Sequence, residues 1–412
     1  MSRDGAAFPW PAGSATGLGP MPGTDPAEAL NVVLGEVPDL PFLPDLPERG
    51  PGADPIGRAG AILVDLPIEM TPRGWRLAAR QGRDHRRAAG LLEADLDALV
   101  LAGAYEGTFK VQLTGPWTLA AALELSRSME PALTDPGAVA DIAASLAEGA
   151  AALAASIASR VPGARPLLQL DEPLLPAVLR GSVASASGLR RIRAVGPDVA
   201  EGALRHVITT AATPAWIRCD TPDNPFSLEI RSGVAAVGCH LSQLRRGAEE
   251  EIGEAIEAGL GLFVGAVPLA PRGPSAGAGG ELGAGARAGA GGGPRAAGGN
   301  RAGGGNTAGG GNRAGGGNTA GGGPRAGGGN RAGGGSRTGG GAEGPDVARR
   351  AAADVAELWR RIGLPADGIG ERVVITPAGG LAGVSPDRAR RVLGQSRAAA
   401  RLLPEMIEEV AG

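Results

Sequence analysis

The stretch Leu167-Leu168-Gln169-Leu170-Asp171-Glu172-Pro173 joins a short, mostly apolar run to two carboxylates and a proline. Such a run is typical of a strand that is covered on both faces, as in a parallel sheet. Acidic residues that directly follow a strand of this kind stand where α/β barrels carry their chemistry. The alternative is that Asp171 or Glu172 only caps the next helix, and the stretch by itself leaves both interpretations open.

Seven further segments have the composition of buried strands, at 15–19, 61–66, 109–114, 215–219, 234–239, 261–265 and 372–376. Helices are predicted between them, one capped by Thr24 or Asp25 and others over 84–102, 136–160, 248–258, 345–362 and 386–402. Strands that alternate with helices indicate a parallel sheet, and eight repeats predict a closed (β/α)8 TIM barrel of the α/β class. A doubly wound open sheet is the alternative, but no Gly-x-Gly-x-x-Gly motif follows the first strand.

Residues 271–344 differ in composition from the rest of the chain. They hold 34 of the 72 glycines, repeat a six-residue unit such as 301–306, and contain one leucine but no valine, isoleucine or aromatic residue. So few apolar side chains cannot offset the entropy lost on ordering, which predicts a disordered insertion after the seventh strand. A flexible arm is predicted over 1–13, and the barrel is assigned to 14–270 and 345–412.

The bulk properties narrow the class of protein. The net charge of −3 argues against a nucleic-acid partner, and two cysteines cannot form a disulfide framework. The first fifteen residues lack a basic start followed by an apolar run, so no secretion signal is expected. We find no uninterrupted apolar run of about 18 residues and therefore expect no membrane-spanning helix. A cytoplasmic protein is the default expectation.

Polar residues near the ends of three predicted strands are expected to meet. Residues two apart on a strand face the same side, so Arg218 and Asp220 share one face. If His240, at the end of the sixth strand, also points into the barrel mouth, all three lie near Asp171. This arrangement predicts a polar site at the carboxyl ends of the strands.

The two cysteines are expected on the other face of their strands. Cys219 lies between Arg218 and Asp220, and Cys239 precedes His240, so both thiols should face the helices. A free cysteine packed there behaves as a small apolar residue. A cysteine nucleophile is therefore not favoured, and neither is a Cys/Cys/His zinc site, because no C-x-x-C spacing is present.

Four motifs together resemble the landmarks of cobalamin-independent methionine synthase, in the short, single-barrel actinobacterial form of its catalytic domain. The motifs are T-G-L-G-P-M-P-G at 16–23, L-T-G-P-W-T at 113–118, Q-L-D-E-P at 169–173 and T-P-A-G-G-L at 376–381. The resemblance covers 14–270 and 345–402. It implies a TIM barrel that transfers a methyl group, as from 5-methyltetrahydrofolate, to the thiol of zinc-bound homocysteine in methionine biosynthesis.

The resemblance also implies roles for individual residues. Asp171 is expected to be the catalytic residue that holds the ammonium group of homocysteine, and the substrate-binding positions are Gly17, Gly19, Trp117, Asp171 and Glu172. The zinc positions of the family fall on Arg218, Asp220, His240 and Gly379. Arginine does not bind metals at neutral pH and glycine has no side chain. Only Asp220 and His240 could still coordinate, which is too few ligands for a tight zinc site.

Three hypotheses about function follow. The first is a methionine-synthase-like methyltransferase, with homocysteine and a methyl donor as its small-molecule partners. The second is a catalytically inactive barrel that is retained as a binding protein. The third is a barrel of the related uroporphyrinogen decarboxylase type, which works without a metal. No nucleotide or cobalamin motif is present, and zinc is the cofactor that the resemblance implies.

Overall fold

The protein is described by a computed structural model that covers residues 8–270 and 343–411. Two short strands, β1 (Ile68–Thr71) and β2 (Gly74–Leu77), form an antiparallel hairpin. Six parallel strands form the main sheet in chain order: β3 (Gly107–Thr114), β4 (Ala164–Asp171), β5 (Ala215–Arg218), β6 (Ala236–His240), β7 (Gly261–Val267) and β8 (Val373–Pro377). The parallel sheet predicted from the alternation of strands and helices is therefore confirmed.

Two irregular segments line the edges of this sheet. Ala15 forms a single parallel bridge with Ile375 of β8, and Phe42 forms one with Lys110 of β3. A third bridge joins the two segments themselves, between residues 20 and 45. The eight-stranded TIM barrel is therefore confirmed only in part, as six parallel strands whose outer edges are bridged by segments that are not regular strands.

The predicted second strand, 61–66, is wrong. Asp54 caps helix α2 (Pro55–Ala61) by accepting a hydrogen bond from the backbone N–H of Gly57, and the chain then turns. The position beside β3 is taken by residues 42–45 of the proline-rich stretch 37–58. Prolines have no N–H group to donate to a ladder, so this segment makes isolated bridges and lacks the signature of a strand.

The predicted helices are all present. Asp25 caps the first helix by accepting hydrogen bonds from the N–H groups of Ala27 and Glu28, as expected from its place before Pro26. Besides α2, the helices are α1 (Pro26–Glu36), α3 (Arg83–Leu101), α4 (Pro116–Ala122), α5 (Pro136–Arg160), α6 (Leu175–Arg180), α7 (Pro197–Ala211), α8 (Phe226–Arg231), α9 (Ala248–Glu257), α10 (Glu343–Ile362), α11 (Ile369–Arg372) and α12 (Pro386–Ala411).

Among the described residues, one helix is long and apolar enough to cross a membrane. It is α5, of 25 residues, and 56 % of its most apolar window is buried. Its alanines raise the mean hydropathy without forming an uninterrupted apolar run, so this helix alone is weak evidence for a membrane span and the expectation of no such span stays a prediction. The helix packs against α7 and β4, so its apolar face belongs to the core of this fold.

Aromatic residues fill the interior of the curved sheet. The ring of Trp216 stacks on that of Phe263 with 4.2 Å between centroids, and Trp10 meets the same Phe263 edge-on at 5.0 Å. Trp10 is buried, and its indole N–H donates to the backbone of Glu371. The flexible arm predicted over 1–13 is therefore not observed for residues 8–13, which are held to the fold through Trp10. Residues 1–7 and nearly all of the insertion predicted at 271–344 lie outside the described residues.

Candidate functional site

Three charged side chains meet at the carboxyl ends of β4 and β5. Asp171 and Arg218 are register partners on these neighbouring strands. Arg218 Nη1 lies 3.3 Å from Asp171 Oδ1, and Arg218 Nε lies 2.5 Å from Asp220 Oδ2. Each of the three side chains is about one-fifth exposed (Arg218 21 %, Asp171 17 %, Asp220 21 %), so each reaches the surface of the mouth. The predicted proximity of Asp171, Arg218 and Asp220 is confirmed, whereas His240, which the prediction also included, forms no hydrogen bond or ion pair with them.

Burial and the neighbouring charges act in opposite directions on the pKa values of Arg218 and Asp171. Burial lowers the pKa of Arg218, but Asp220 and Asp171 raise it by more, so the guanidinium stays charged. Burial raises the pKa of Asp171, which Arg218 opposes. In formal charges, one arginine against two aspartates gives the triad −1. The mouth therefore presents a partly neutralised but still acidic surface.

A fully buried polar layer lies beneath the triad. Lys110 Nζ donates to Gln169 Oε1 at 2.6 Å and to Gln112 Oε1 at 3.2 Å. Gln169 Nε2 in turn donates to Asp171 Oδ1 at 2.8 Å. These contacts connect the interior of the curved sheet to the mouth by a continuous chain of hydrogen bonds.

A second carboxylate, Asp45, lies close to this layer and is supported by a buried ion-pair network. Arg58 Nε lies 2.7 Å from Asp45 Oδ1, and Nη1 of the same Arg58 donates to Asp95. Asp95 also pairs with Arg49 at 2.8 Å. Sequence reasoning missed Asp45 and its network. The available signal was the unusual length of the proline-rich stretch 37–58, which such a role accounts for.

The two glycines of the first motif have different surroundings. Gly19 has a φ of +114°, and a Cβ there would lie 2.6 Å from Gln112 Cδ and 2.8 Å from Asp45 Oδ2. Only glycine fits this conformation without strain, so the backbone can approach both side chains closely. A Cβ at Gly17 would lie 2.4 Å from the ring of Phe42. Gly17 is thus needed for packing, whereas Gly19 lies beside polar groups of the site.

Glu172 and Trp117 are both buried and contact neighbouring elements of the fold. Glu172 is fully buried and accepts hydrogen bonds from the N–H groups of Trp117 (2.9 Å) and Thr118 (2.8 Å) and from the Thr118 hydroxyl (2.6 Å). These bonds cap the N-terminus of α4, and burial raises the pKa of Glu172 to about 7. Trp117 is buried, with its indole N–H donating to Ala200. Glu172 thus caps α4 and not the helix that follows it in the chain, and a substrate-binding role for Glu172 and Trp117 stays a prediction.

The other two positions that the resemblance assigns to zinc, His240 and Gly379, make no hydrogen bond or ion pair with the triad. His240 Nδ1 is 3.1 Å from the hydroxyl of Ser242, and both line a cavity of about 410 Å³ beside β6 and β7. Gly379 offers no side chain, and a Cβ there would lie 3.3 Å from Leu269. Within the described residues, no three histidine, cysteine, aspartate or glutamate side chains come together as a metal would require.

The cysteines do not supply the missing ligands. Cys219 and Cys239 are both buried, and burial raises the pKa of each thiol above its ordinary value. Thiols of raised pKa are poor nucleophiles and poor metal ligands. Together with the Arg218 guanidinium between Asp171 and Asp220, these features show that the described residues do not fit a zinc ion.

The comparisons with known proteins identify no family. No protein-family model matches the chain, and no curated protein matches it significantly. Among solved structures, the fold is similar to a B12-independent methionine synthase from Shewanella sp. W3-18-1 in complex with selenomethionine, at 12 % identity and a TM-score of 0.47, covering 99 % of this chain and 100 % of that one. It is also similar to a methyltransferase from Methanosarcina mazei, at 13 % identity and a TM-score of 0.49, covering 98 % and 95 %.

Proposed function

We propose that the chain is a methionine-synthase-like barrel whose mouth binds a small amino-acid-like molecule through its ammonium group, without zinc. One observation carries this proposal: the Arg218 guanidinium lies between Asp171 and Asp220. A fixed cation in this place pairs with two carboxylates and excludes a metal dication by charge repulsion. The net negative charge that remains on the triad favours the binding of a singly charged cation.

Asp171 has the geometry to receive an ammonium group. Among the described residues, Gln169 and Arg218 both donate to Oδ1 of Asp171, which leaves its Oδ2 without a donor. The side chain is 17 % exposed, so this oxygen can be reached from the mouth. An ammonium–carboxylate hydrogen bond is charge-assisted and strong in a partly buried site. The free oxygen is therefore the anchoring point that we assign to the ligand.

The methyl transfer that the sequence resemblance implies needs a thiolate, which zinc supplies in that family. The described residues leave too few ligands for zinc, and both thiols of the chain are buried. We therefore propose that the barrel binds amino-acid-like ligands but does not methylate homocysteine. This corresponds to a binding protein with the architecture of a methyltransferase.

The Asp171→Asn substitution tests the anchoring role. It removes the charge that pairs with the ligand ammonium, so we expect the affinity for L-methionine or L-homocysteine to fall roughly 10- to 100-fold. Isothermal titration calorimetry of each variant measures this change. Asp141, exposed on α5, provides the matched control: Asp141→Asn should bind as the unmodified protein does. Equal affinity in the Asp171→Asn variant would refute the anchoring role.

Metal analysis tests the absence of zinc. We expect the purified protein to contain well under one zinc ion per chain and to form no methionine from homocysteine and 5-methyltetrahydrofolate. The combined substitutions Arg218→His, Asp220→Cys and Gly379→Cys should raise the zinc content, whereas each single substitution should not, because one or two ligands hold zinc weakly. Stoichiometric zinc in the unmodified protein, with activity lost on chelation, would overturn the proposal.

A further inference from the structure

We infer that Lys110 is a positioning residue whose proton is coupled to ligand binding at the mouth, so that an ammonium group arriving at Asp171 releases one proton from Lys110. The inference deepens the proposed function and rests on it. It assigns a role to a residue that does not contact the ligand, and it makes binding depend on pH with a defined sign.

The surroundings of Lys110 allow either protonation state. Its side chain is fully buried on β3, and its Nζ contacts two acceptors, the Oε1 atoms of Gln112 and Gln169. A neutral amine keeps two N–H donors. Loss of one N–H bond therefore leaves both hydrogen bonds intact, while the proton passes to solvent. An arginine in this place could not lose its proton.

Lys110 also fixes the orientation of both glutamine side chains. Because each Oε1 atom faces the lysine, each Nε2 atom must point the other way. Gln169 Nε2 then donates to Asp171 Oδ1 (2.8 Å) and to the backbone oxygen of Leu18 (3.0 Å). Gln112 Nε2 donates to the backbone oxygen of Leu43 at 2.6 Å. Through the two glutamines, the amine of Lys110 thus orients the carboxylate of Asp171, which we assign to ligand binding. It also holds the two irregular segments that border the sheet.

The charged groups around Lys110 explain the coupling. Burial lowers its pKa to about 7, Asp171 and Asp45 oppose this effect, and Arg218 adds to it. The ring of Phe42 lies 5.2 Å from Nζ. A ligand ammonium at Asp171 would neutralise one of the two carboxylates that stabilise the charged lysine. The pKa of Lys110 should then fall further, and reciprocity requires the ligand to bind more tightly as the pH rises through the lysine's titration.

The test uses the fact that Lys110 is the only lysine of the chain. Protein labelled with lysine carrying ¹³C at Cε should give a single side-chain resonance, which is followed by NMR from pH 5 to 9. We expect its midpoint to lie near 7, as the burial of Lys110 implies, and to move to lower pH when L-methionine is added. Calorimetry in two buffers of different ionisation enthalpy should show up to one proton released per methionine bound at pH 6.

Titration of Asp171 would also make binding tighter as the pH rises. The Lys110→Met variant distinguishes that effect from the coupling to Lys110. In the unmodified protein the affinity should rise by up to about tenfold per pH unit below the midpoint, the limit for one coupled proton. In Lys110→Met that dependence should be lost. If this variant fails to fold, the NMR titration of the unmodified protein decides alone.

The outcomes are distinguishable. Methionine that binds without moving the Lys110 titration and without releasing a proton would overturn the inference and leave the proposed function standing. Methionine, homocysteine and their analogues that fail to bind at all would overturn the proposed function, and the coupling would fall with it.

Discussion

Replacing Arg58 by methionine is expected to lower the free energy of unfolding by about 3–5 kcal/mol. Arg58 is buried (3 % exposed) and pairs with Asp45 at 2.7 Å and with Asp95. Burial already raises the pKa of Asp45, which Arg58 opposes. Without Arg58, Asp45 would be left as a buried carboxylate without its ion-pair partner, whereas Asp95 would keep Arg49.

Urea denaturation at pH 7 measures this loss, and Arg73→Met is the matched control. Arg73 also pairs with a carboxylate, Glu124 at 2.9 Å, but its side chain is 47 % exposed. Breaking such a surface pair should cost about 0–1 kcal/mol. A second substitution, Asp45→Asn in the Arg58→Met background, should recover part of the stability because it removes the stranded charge. Similar losses in Arg58→Met and Arg73→Met would show that burial of the network is not what makes it important.

The helices could be predicted from the sequence because their ends are set by local interactions. Asp25 and Asp135 each accept hydrogen bonds from N–H groups two and three residues further on, and each is followed by a proline. These interactions lie within four residues of chain and are visible in the sequence. The helix predicted over 136–160 is observed as α5, which begins at Pro136.

The segments beside the sheet edges could not be predicted in the same way. The apolar run 61–66 satisfies the pattern of a strand, but it follows a helix whose cap, Asp54, lies seven residues earlier in the chain. The segment that takes the place of that strand makes a single bridge through Phe42 and lies between Pro41 and Pro44. Alternation and apolar runs in a sequence predict strands that form ladders of hydrogen bonds. A segment that makes only one bridge to the sheet has no such sequence pattern.

The residues of the site also differ in whether local or distant contacts determine their positions. Arg218 and Asp220 were placed on one face because residues two apart on a strand share a side, and this local rule was sufficient. The role of Glu172 depends on partners 54 and 55 positions away, and that of Lys110 on Gln169, 59 positions away. Such contacts depend on the register between strands and on the position of α4, neither of which a single sequence specifies.

The Glu229→Gln substitution is expected to stabilise the protein at neutral pH. Glu229, on α8, is fully buried, and neither of its carboxylate oxygens has a hydrogen-bond donor among the described residues. Asn224 does not supply one, because its Nδ2 donates to the backbone oxygen of Gly238 at 3.0 Å. Burial raises the pKa of Glu229 well above its ordinary value, and the nearby carboxylate of Asp220 raises it further.

The sign of the pH dependence follows from this raised pKa. The folded state holds the proton of Glu229 at pH values where the unfolded state, with an ordinary pKa of 4.5, has lost it. Stability must therefore fall as the pH rises from 4.5 toward the folded-state pKa, by about 1.4 kcal/mol per pH unit. A glutamine cannot ionise, so the Glu229→Gln variant should not show this loss.

Urea denaturation of both proteins at pH 4, 5, 6 and 7 tests the prediction through the difference in their free energies of unfolding. The difference should be small near pH 4 and should grow in favour of the variant as the pH rises. Glu148→Gln, at an exposed position of α5, controls for the loss of one negative charge and should show no such trend. A Glu229→Gln variant that is less stable than the unmodified protein at pH 7 would mean that Glu229 is ionised and paired, so that the folded state depends on its charge.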